Sequence, residues 1–186
     1  MQDNITLSKK SGKGRSHGVS SELTAFFHIR PGHTEELIAA IRRFQEKAQP
    51  RDTTVFEKVG LRTQRHVIFD NGTRIMWCTA FDTDWDPYIE DAIEIFGATS
   101  WVDWMQHTVE YPGGMENASS AEIKQLLQSA QNQAITFFDA FSNFTLSEIK
   151  KALFVNQAFE RILDNPEAAE AFQHPALQPL LEEAAD

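Results

Sequence analysis

The tripeptide Asp70-Asn71-Gly72 constrains the fold of this chain more than any other feature of the sequence. Asn and Gly accept the positive φ that a tight hairpin turn requires, so the segments on either side are expected to pair as antiparallel strands. These segments are residues 55–69 and 73–81. The first of them is long enough for one bent or bulged strand, and the sequence therefore predicts a central hairpin.

The second strand of this hairpin carries apolar side chains on both of its faces. Its two alternating sets are Ile75, Trp77, Thr79 and Phe81 on one side, and Arg74, Met76, Cys78 and Ala80 on the other. A strand with one solvated face would show a clean alternation of apolar and polar residues. Both faces of the sheet are therefore expected to be covered, one by helices and the other by a second surface.

Further elements flank the hairpin in a recognisable order. Residues 22–30 alternate as a strand, and Pro31-Gly32 ends it before a helix capped by Thr34. Asp86-Pro87 opens a second helix, and residues 107–111 are predicted as a last short strand. The order strand, helix, strand, strand, helix, strand predicts an α+β, ferredoxin-like βαββαβ module with an antiparallel sheet.

The chain divides into three predicted parts. Residues 1–20 are rich in Gly, Ser and Lys and are expected to form a disordered basic tail. Residues 21–113 form the ferredoxin-like domain. Residues 120–186 form a C-terminal helical extension, in which Thr145-Leu-Ser-Glu148 is a capping box that opens a helix ending at Leu163.

The charge distribution disfavours nucleic acid and membrane partners. The 186 residues carry a net charge of −10, and the first 20 residues hold four basic side chains against Asp3, so the remainder is about −13. Such an acidic body repels phosphates and anionic lipids. Cys78 is the only cysteine, and the sequence shows no signal peptide and no apolar run of about 18 residues, so a cytoplasmic location is expected.

Residues 21–113 resemble the dimeric α/β-barrel superfamily, which includes the antibiotic-biosynthesis-type monooxygenases and the stress-responsive barrel proteins. The similarity rests on the strand-to-helix motif at residues 29–37, the hairpin turn and the aromatic strand that follows it. Residues 61–93 and 141–163 also resemble a poorly characterised bacterial family in which such a barrel precedes a helical tail. The resemblance implies a homodimer whose sheets pack into a barrel, with a pocket for a small molecule. It does not determine the chemistry, because the superfamily spans cofactor-free oxygenases, haem enzymes and isomerases.

Histidines beside aromatic residues are the candidate catalytic groups. Such a histidine suits the binding of a phenol or quinone-like compound, the orientation of oxygen or the ligation of haem iron. The predicted catalytic residues are His28, His66 and Arg65, and the predicted substrate-binding residues are Phe26, Trp77 and Arg74. The alternatives are structural histidines bonded to the backbone, and arginines that serve as edge-strand charges or dimer salt bridges.

The cofactor is either absent or a haem, for which His107 is the candidate ligand. Asp82, Asp84 and Asp86 alternate around Trp85, but they lack the distal Glu and central Gly of a calcium loop. Helix capping explains these aspartates better, and no metal site is predicted.

Two functions are consistent with these features. The first is a dimeric barrel that binds a small apolar or aromatic ligand, as an oxygenase, cofactor-free or haem-dependent, of an aromatic or polyketide-like compound. The second is a non-enzymatic oligomeric or partner-binding protein in which the helical tail covers the opening of the barrel. Phe137, Phe138, Phe141 and Phe144 suit either packing onto the module or a partner interface.

Overall fold

A computed structural model describes residues 14–47, 54–114 and 117–184 as an α+β fold with a four-stranded antiparallel sheet. The strands are β1 (Ser16–His17), β2 (Ser20–His28), β3 (Leu61–Phe69) and β4 (Arg74–Phe81), in the order β1-β2-β4-β3. The chain divides into two compact units, Met1–Leu146 and Ser147–Asp186. The sheet belongs to the first unit.

The predicted central hairpin is confirmed. Asp70 and Asn71 adopt φ values of 54° and 53°, and the Thr73 amide donates to the Asp70 carbonyl at 3.1 Å. The bulge lies between Leu61 and Thr63. The N-terminal part of the predicted long strand is instead a short helix, because Gly60 turns the chain with a φ of 66° and separates helix from strand.

Five helices of the first unit bury their apolar sides around one face of the sheet. They are α1 (Thr34–Lys47), α2 (Thr54–Val59), α3 (Trp85–Phe96), α4 (Ala98–Met105) and α5 (Ser120–Ala130). Phe27 of β2 packs edge-on against Trp104, and Trp77 of β4 packs edge-on against Trp101. Aromatic packing against the sheet therefore forms the core.

The prediction of a strand at residues 107–111 is wrong, because only a single β-bridge forms there. Thr108 bridges Ile29, and the Val109 amide donates to the His28 carbonyl at 2.8 Å. The Thr108 amide bonds back to Met105 and the Tyr111 amide to Thr108, so the chain turns instead of running beside β2. The bridge nevertheless places this segment at the outer edge of β2.

The basic tail predicted for residues 1–20 does not extend to residue 20. Residues 1–13 lie outside the described ranges, but Ser16 and His17 already pair with β2. Gly18 makes the turn with a φ of 58°, and a side chain there would collide with the Ser142 carbonyl. The sheet therefore begins before residue 21. The sequence did not predict this, because the turn at Gly18 depends on a contact with Ser142, which is distant along the chain.

Residues 131–145 are not helical, although they lie within the predicted C-terminal helical extension. Their polar groups bond to the sheet instead: the Asn132 amide donates to Thr24 at 2.8 Å, and the Val19 amide donates to Ser142. Arg62 holds the segment, because its guanidinium pairs with Asp82, with Asp139 and with the Phe144 carbonyl.

The second unit is helical, and its first helix is confirmed. Helix α6 spans Leu146–Leu163, and α7 (Ala169–Phe172) and α8 (Gln178–Glu183) follow, each preceded by a short 3₁₀ turn. Phe159 and Phe172 pack edge to face at 5.8 Å. No helix within the described ranges has the length and apolarity needed to cross a membrane.

Replacing Arg62 with alanine should strongly destabilise the first unit. Only 10% of the Arg62 side chain is exposed, so its removal leaves Asp82 and Asp139 as poorly solvated charges without their cation. We expect the free energy of unfolding in urea to fall by about 3 kcal/mol. Arg42→Ala, at an exposed position on α1, is the matched control and should cost less than about 0.5 kcal/mol. Equal losses in the two variants would contradict the structural role of Arg62.

Candidate functional site

The helices cover one face of the sheet, and we call the other the open face. Side chains alternate between the two faces along each strand, and the register aligns one strand with the next, so together they determine which residues lie on the open face. They are Glu22, Thr24, Phe26 and His28 of β2, Arg74, Met76, Cys78 and Ala80 of β4, and Thr63, Arg65, Val67 and Phe69 of β3. Most of these side chains are partly exposed. This mixed apolar and charged surface is the one that the helices leave uncovered.

A histidine–carboxylate pair lies at one end of the open face. Nδ1 of His28 is 2.7 Å from Oε1 of Glu110, and the Glu110 carboxylate also accepts the His28 backbone amide at 2.9 Å. A carboxylate at Nδ1 holds the tautomer in which Nδ1 carries the proton and Nε2 keeps its lone pair. His28 is 62% exposed, so Nε2 can act as a base or as an acceptor for a ligand.

Arg74 lies directly across from His28 on β4. Its guanidinium sits 4.9 Å from the centre of the Phe69 ring and 5.6 Å from that of Phe26, both within cation–π range. The Nε atom of Arg74 is buried and has no hydrogen-bond partner within the described part of the chain. Such a donor costs free energy unless an acceptor reaches it. We name His28, Glu110, Arg74, Phe26 and Phe69 the His28 cluster.

The His28 cluster combines the parts needed to bind and deprotonate a small acidic aromatic molecule. An imidazole can act as a general base, and a carboxylate at its other nitrogen can stabilise the imidazolium that would form. The Arg74 guanidinium can pair with a carboxylate, phenolate or enolate. The two phenylalanine rings provide apolar walls for an aromatic ring.

Arg65 belongs to the open face but not to the His28 cluster. It lies opposite Cys78, four residues along β4 from Arg74, which corresponds to about 13 Å. Arg65 instead lines a cavity of about 370 Å³ that residues 134–137 cover from above. The structure therefore separates Arg65 from His28, with which the sequence predicted it to act.

His66 and Trp77 lie on the helix-covered face, so the predicted grouping of these residues with His28 is wrong. They are opposite each other in the register, and their rings stack 6.3 Å apart. The His66 ring also contacts Phe44 and Trp104. Burial lowers the pKa of His66 to about 4, so the imidazole is neutral at pH 7. His66 and Trp77 are core residues, because the sheet separates them from the open face.

His107 contacts another histidine and has polar surroundings that do not fit a haem. Its Nδ1 lies 3.0 Å from Nδ1 of His33. Burial, followed by the charge of His33, lowers the pKa of His107, and Asp103, Glu36 and Arg43 also act on it. A haem requires a large apolar pocket around its ligand. These charged neighbours do not provide one, and no step is assigned to a haem.

Two of the three aspartates around Trp85 form ion pairs. Asp82 pairs with Arg62, and Asp86 pairs with Lys124 at 2.8 Å. Asp84 is the residue before α3, but its side chain makes no capping hydrogen bond there, so the predicted capping role is wrong for this residue. The described residues contain no cluster of three or more histidine, cysteine or acidic side chains arranged around a metal ion.

Glu110 and His33 are the functional candidates that the sequence did not identify. Glu110 is 82 residues from His28, and the predicted strand at 107–111 gave no reason to pair the two. His33 lies within the strand-to-helix motif but is 74 residues from His107. The bridge between Ile29 and Thr108 and the hydrogen bonds beside it bring these segments together.

No family model, no curated protein and no solved structure matches this chain. The function must therefore be inferred from the chemistry of the site. The open face and the His28 cluster are the features on which that inference rests.

The buried His66 should make the stability of the first unit depend on pH. Its pKa is about 4 in the folded chain and close to 6.5 when unfolded, so the unfolded state binds the proton first as the pH falls. The free energy of unfolding should therefore decline between pH 6.5 and 4, by about 3 kcal/mol at most. His66→Leu should remove this decline relative to wild type in urea titrations, whereas His174→Leu, at an exposed site, should keep it. The same slope in both variants would contradict the burial of a neutral His66.

Proposed function

We propose that this protein is a homodimeric, ferredoxin-like α/β barrel that binds a small aromatic or polyketide-like anion at the His28 cluster. The observation that carries the proposal is the joint presence of an oriented imidazole, an arginine with a free buried donor and two aromatic walls on an uncovered sheet face. The ligand would lie between the open face and the surface that covers it.

The order of the strands supports the ferredoxin-like assignment. Strands β2, β4 and β3 lie side by side and antiparallel, with β4 between the other two. The Thr108 bridge lies beside β2, at the position where the last strand of the module belongs. Helices α1 and α3 connect the strands in the expected places.

The exposed apolar surface supports dimerisation through the open face. Val67 of β3 is 39% exposed and lies opposite Met76 of β4. Phe26 of β2 lies on the other side of Met76 and is also only partly buried. Exposed apolar side chains on a sheet favour association with another surface. A second copy is the occupant we propose, because it presents the same face and would close the two sheets into a barrel.

The proposed reaction class is cofactor-free oxygenation, with dioxygen as the oxidant, that begins with removal of a proton from the bound compound. The resulting carbanion would add dioxygen to form a carbon–oxygen bond, and the peroxide anion would regain a proton to give a hydroperoxide. Nε2 of His28 would take the proton, and Glu110 would stabilise the resulting imidazolium. The Arg74 guanidinium would stabilise the negative charge that develops on the ligand. Each role belongs to a side chain of the cluster.

A partner-binding role is the second candidate function. Ile135 is 89% exposed, and Phe138 and Phe141 of the same irregular segment are exposed as well. Apolar side chains presented in this way suit contact with another protein. In this case residues 135–141 would contact a partner chain, and the His28 cluster would bind no small molecule.

Val67→Glu should convert the dimer into a monomer. A carboxylate in the centre of the paired open faces would lie close to its own copy and lose its hydration. We expect sedimentation equilibrium to show the dimer dissociation constant raised at least tenfold. Ile95→Glu is the matched control, since Ile95 has the same exposure, 38%, on α3. A wild-type monomer, or equal weakening by both substitutions, would contradict the proposed interface.

Arg74→Met should weaken binding of 1-hydroxy-2-naphthoate, an aromatic probe that carries both a phenol and a carboxylate. Loss of a charge-assisted hydrogen bond of about 1.5–3 kcal/mol corresponds to a tenfold or larger rise in Kd. Fluorescence titration of the probe measures the change. Arg42→Met, on the exposed side of α1, should leave Kd unchanged. Absence of saturable binding in the wild type, or equal affinity in Arg74→Met, would favour the partner-binding role.

A further inference from the structure

His33 and His107 form a pair whose nitrogen atoms face each other. The two Nδ1 atoms are 3.0 Å apart, and the ring centres are 5.3 Å apart with planes inclined by 50°. His33 lies between β2 and α1, and His107 lies in the turn after α4. The pair therefore joins two loops that are distant in the sequence.

Backbone hydrogen bonds hold both histidines in place through Arg30. The Arg30 carbonyl accepts the His33 amide at 3.0 Å, and the Arg30 amide donates to the His107 carbonyl at 2.9 Å. The Arg30 side chain donates to the carbonyls of Thr108 at 2.8 Å and Tyr111 at 2.6 Å. These bonds hold together the two backbone segments that carry the imidazoles, so a ligand that binds both rings would not have to bring the segments together.

We propose that His33 and His107 are the two protein ligands of a site for a divalent transition-metal ion, with water completing the coordination. Two imidazole nitrogens that share one metal at about 2.0–2.1 Å lie about 2.8–3.4 Å apart, for bond angles between square and tetrahedral. The two Nδ1 atoms, which share a hydrogen bond at 3.0 Å, are already separated by a distance within this interval. Metal binding would replace that hydrogen bond, and both rings would turn their Nδ1 lone pairs toward the ion.

The charges around the pair suit a cation. Glu36 lies one turn along α1 from His33, and both Glu36 and Asp103 act electrostatically on His107. Asp103 is largely compensated, because Arg43 binds both of its oxygens at 2.8 and 2.9 Å. Glu36 therefore supplies the negative charge for the ion. Imidazole ligands favour zinc, nickel and copper over magnesium and calcium.

The remaining four histidines have other surroundings. His17 accepts the Asp139 amide, His28 binds Glu110, His66 is buried among aromatic rings, and His174 caps a short turn. All six histidines of the sequence lie within the described ranges. The pair is thus the one place in the described chain where two imidazole nitrogens approach each other. This site is separate from the His28 cluster and does not depend on the proposed ligand or on dimerisation.

Isothermal titration of the full chain with Ni²⁺ and with Zn²⁺ tests the site. We expect one ion per chain in the wild type, and at least tenfold weaker binding in His33→Ala and in His107→Ala. His174→Ala is the control and should bind as the wild type does. Mg²⁺ should produce no saturable heat. Wild-type affinity in both paired variants, or no saturable binding of either transition metal, would overturn the proposal.

A spectroscopic measurement on the wild type keeps the test independent of the folding of the variants. Ni²⁺ is paramagnetic in octahedral sites, so its binding should broaden the imidazole NMR signals of His33 and His107 before those of other histidines. The signals of His17 and His174 should remain sharp at the same metal ratio. Broadening that begins at any other histidine would place the metal elsewhere and contradict the proposal.

Discussion

The packing of aromatic side chains between sheet and helices is the interaction on which the rest of this structure depends. Phe27 and Trp77 project from neighbouring strands into the layer formed by Trp101, Trp104 and Phe44. Burial of each such ring contributes about 2–3 kcal/mol. Side chains alternate along a strand. Because these rings face the helices, the residues next to them in each strand face the opposite side of the sheet.

That alternation assigns different chemistry to residues of the same type. His66 shares the face of Trp77 and becomes a neutral core histidine, while His28 shares the face of Phe26 and stays accessible beside Glu110. The same alternation places Arg74 on the open face, where its guanidinium lies over two phenylalanine rings. Strand register therefore separates structural residues from the candidate functional ones.

Local patterns predicted much of the fold. The hairpin at Asp70-Asn71-Gly72 has turn chemistry that depends on neighbouring residues only, and α1 and α6 lie where the sequence predicted helices. The failures involve long-range contacts. Residues 107–111 form one bridge instead of a strand, and residues 131–145 leave the helical pattern because their backbone bonds to the sheet and Asp139 pairs with Arg62.

The candidate site was less predictable than the fold. His28, Phe26 and Arg74 stood out by residue type, and they do lie together on one face. Alternation along one strand already separates Arg74 from Trp77, but the relation of His28 to His66 and Trp77 depends on the register between strands and on the bulge near Leu61. Glu110 and His33 were not identified, since each acquires its role from a partner more than 70 residues away.

The central claim is that a second copy of the chain covers the open face. Cys78 is the only cysteine but lines the cavity below residues 134–137, whereas Val67 lies on that face outside the cavity and is 39% exposed. In a chain carrying Val67→Cys and Cys78→Ser, reaction with a bulky polymer-linked maleimide therefore measures coverage of the face by a second copy. The rate of modification should fall steeply as the protein concentration rises through the dimer dissociation constant. A rate that stays the same from dilute to concentrated protein would show that the face remains uncovered and would contradict the claim.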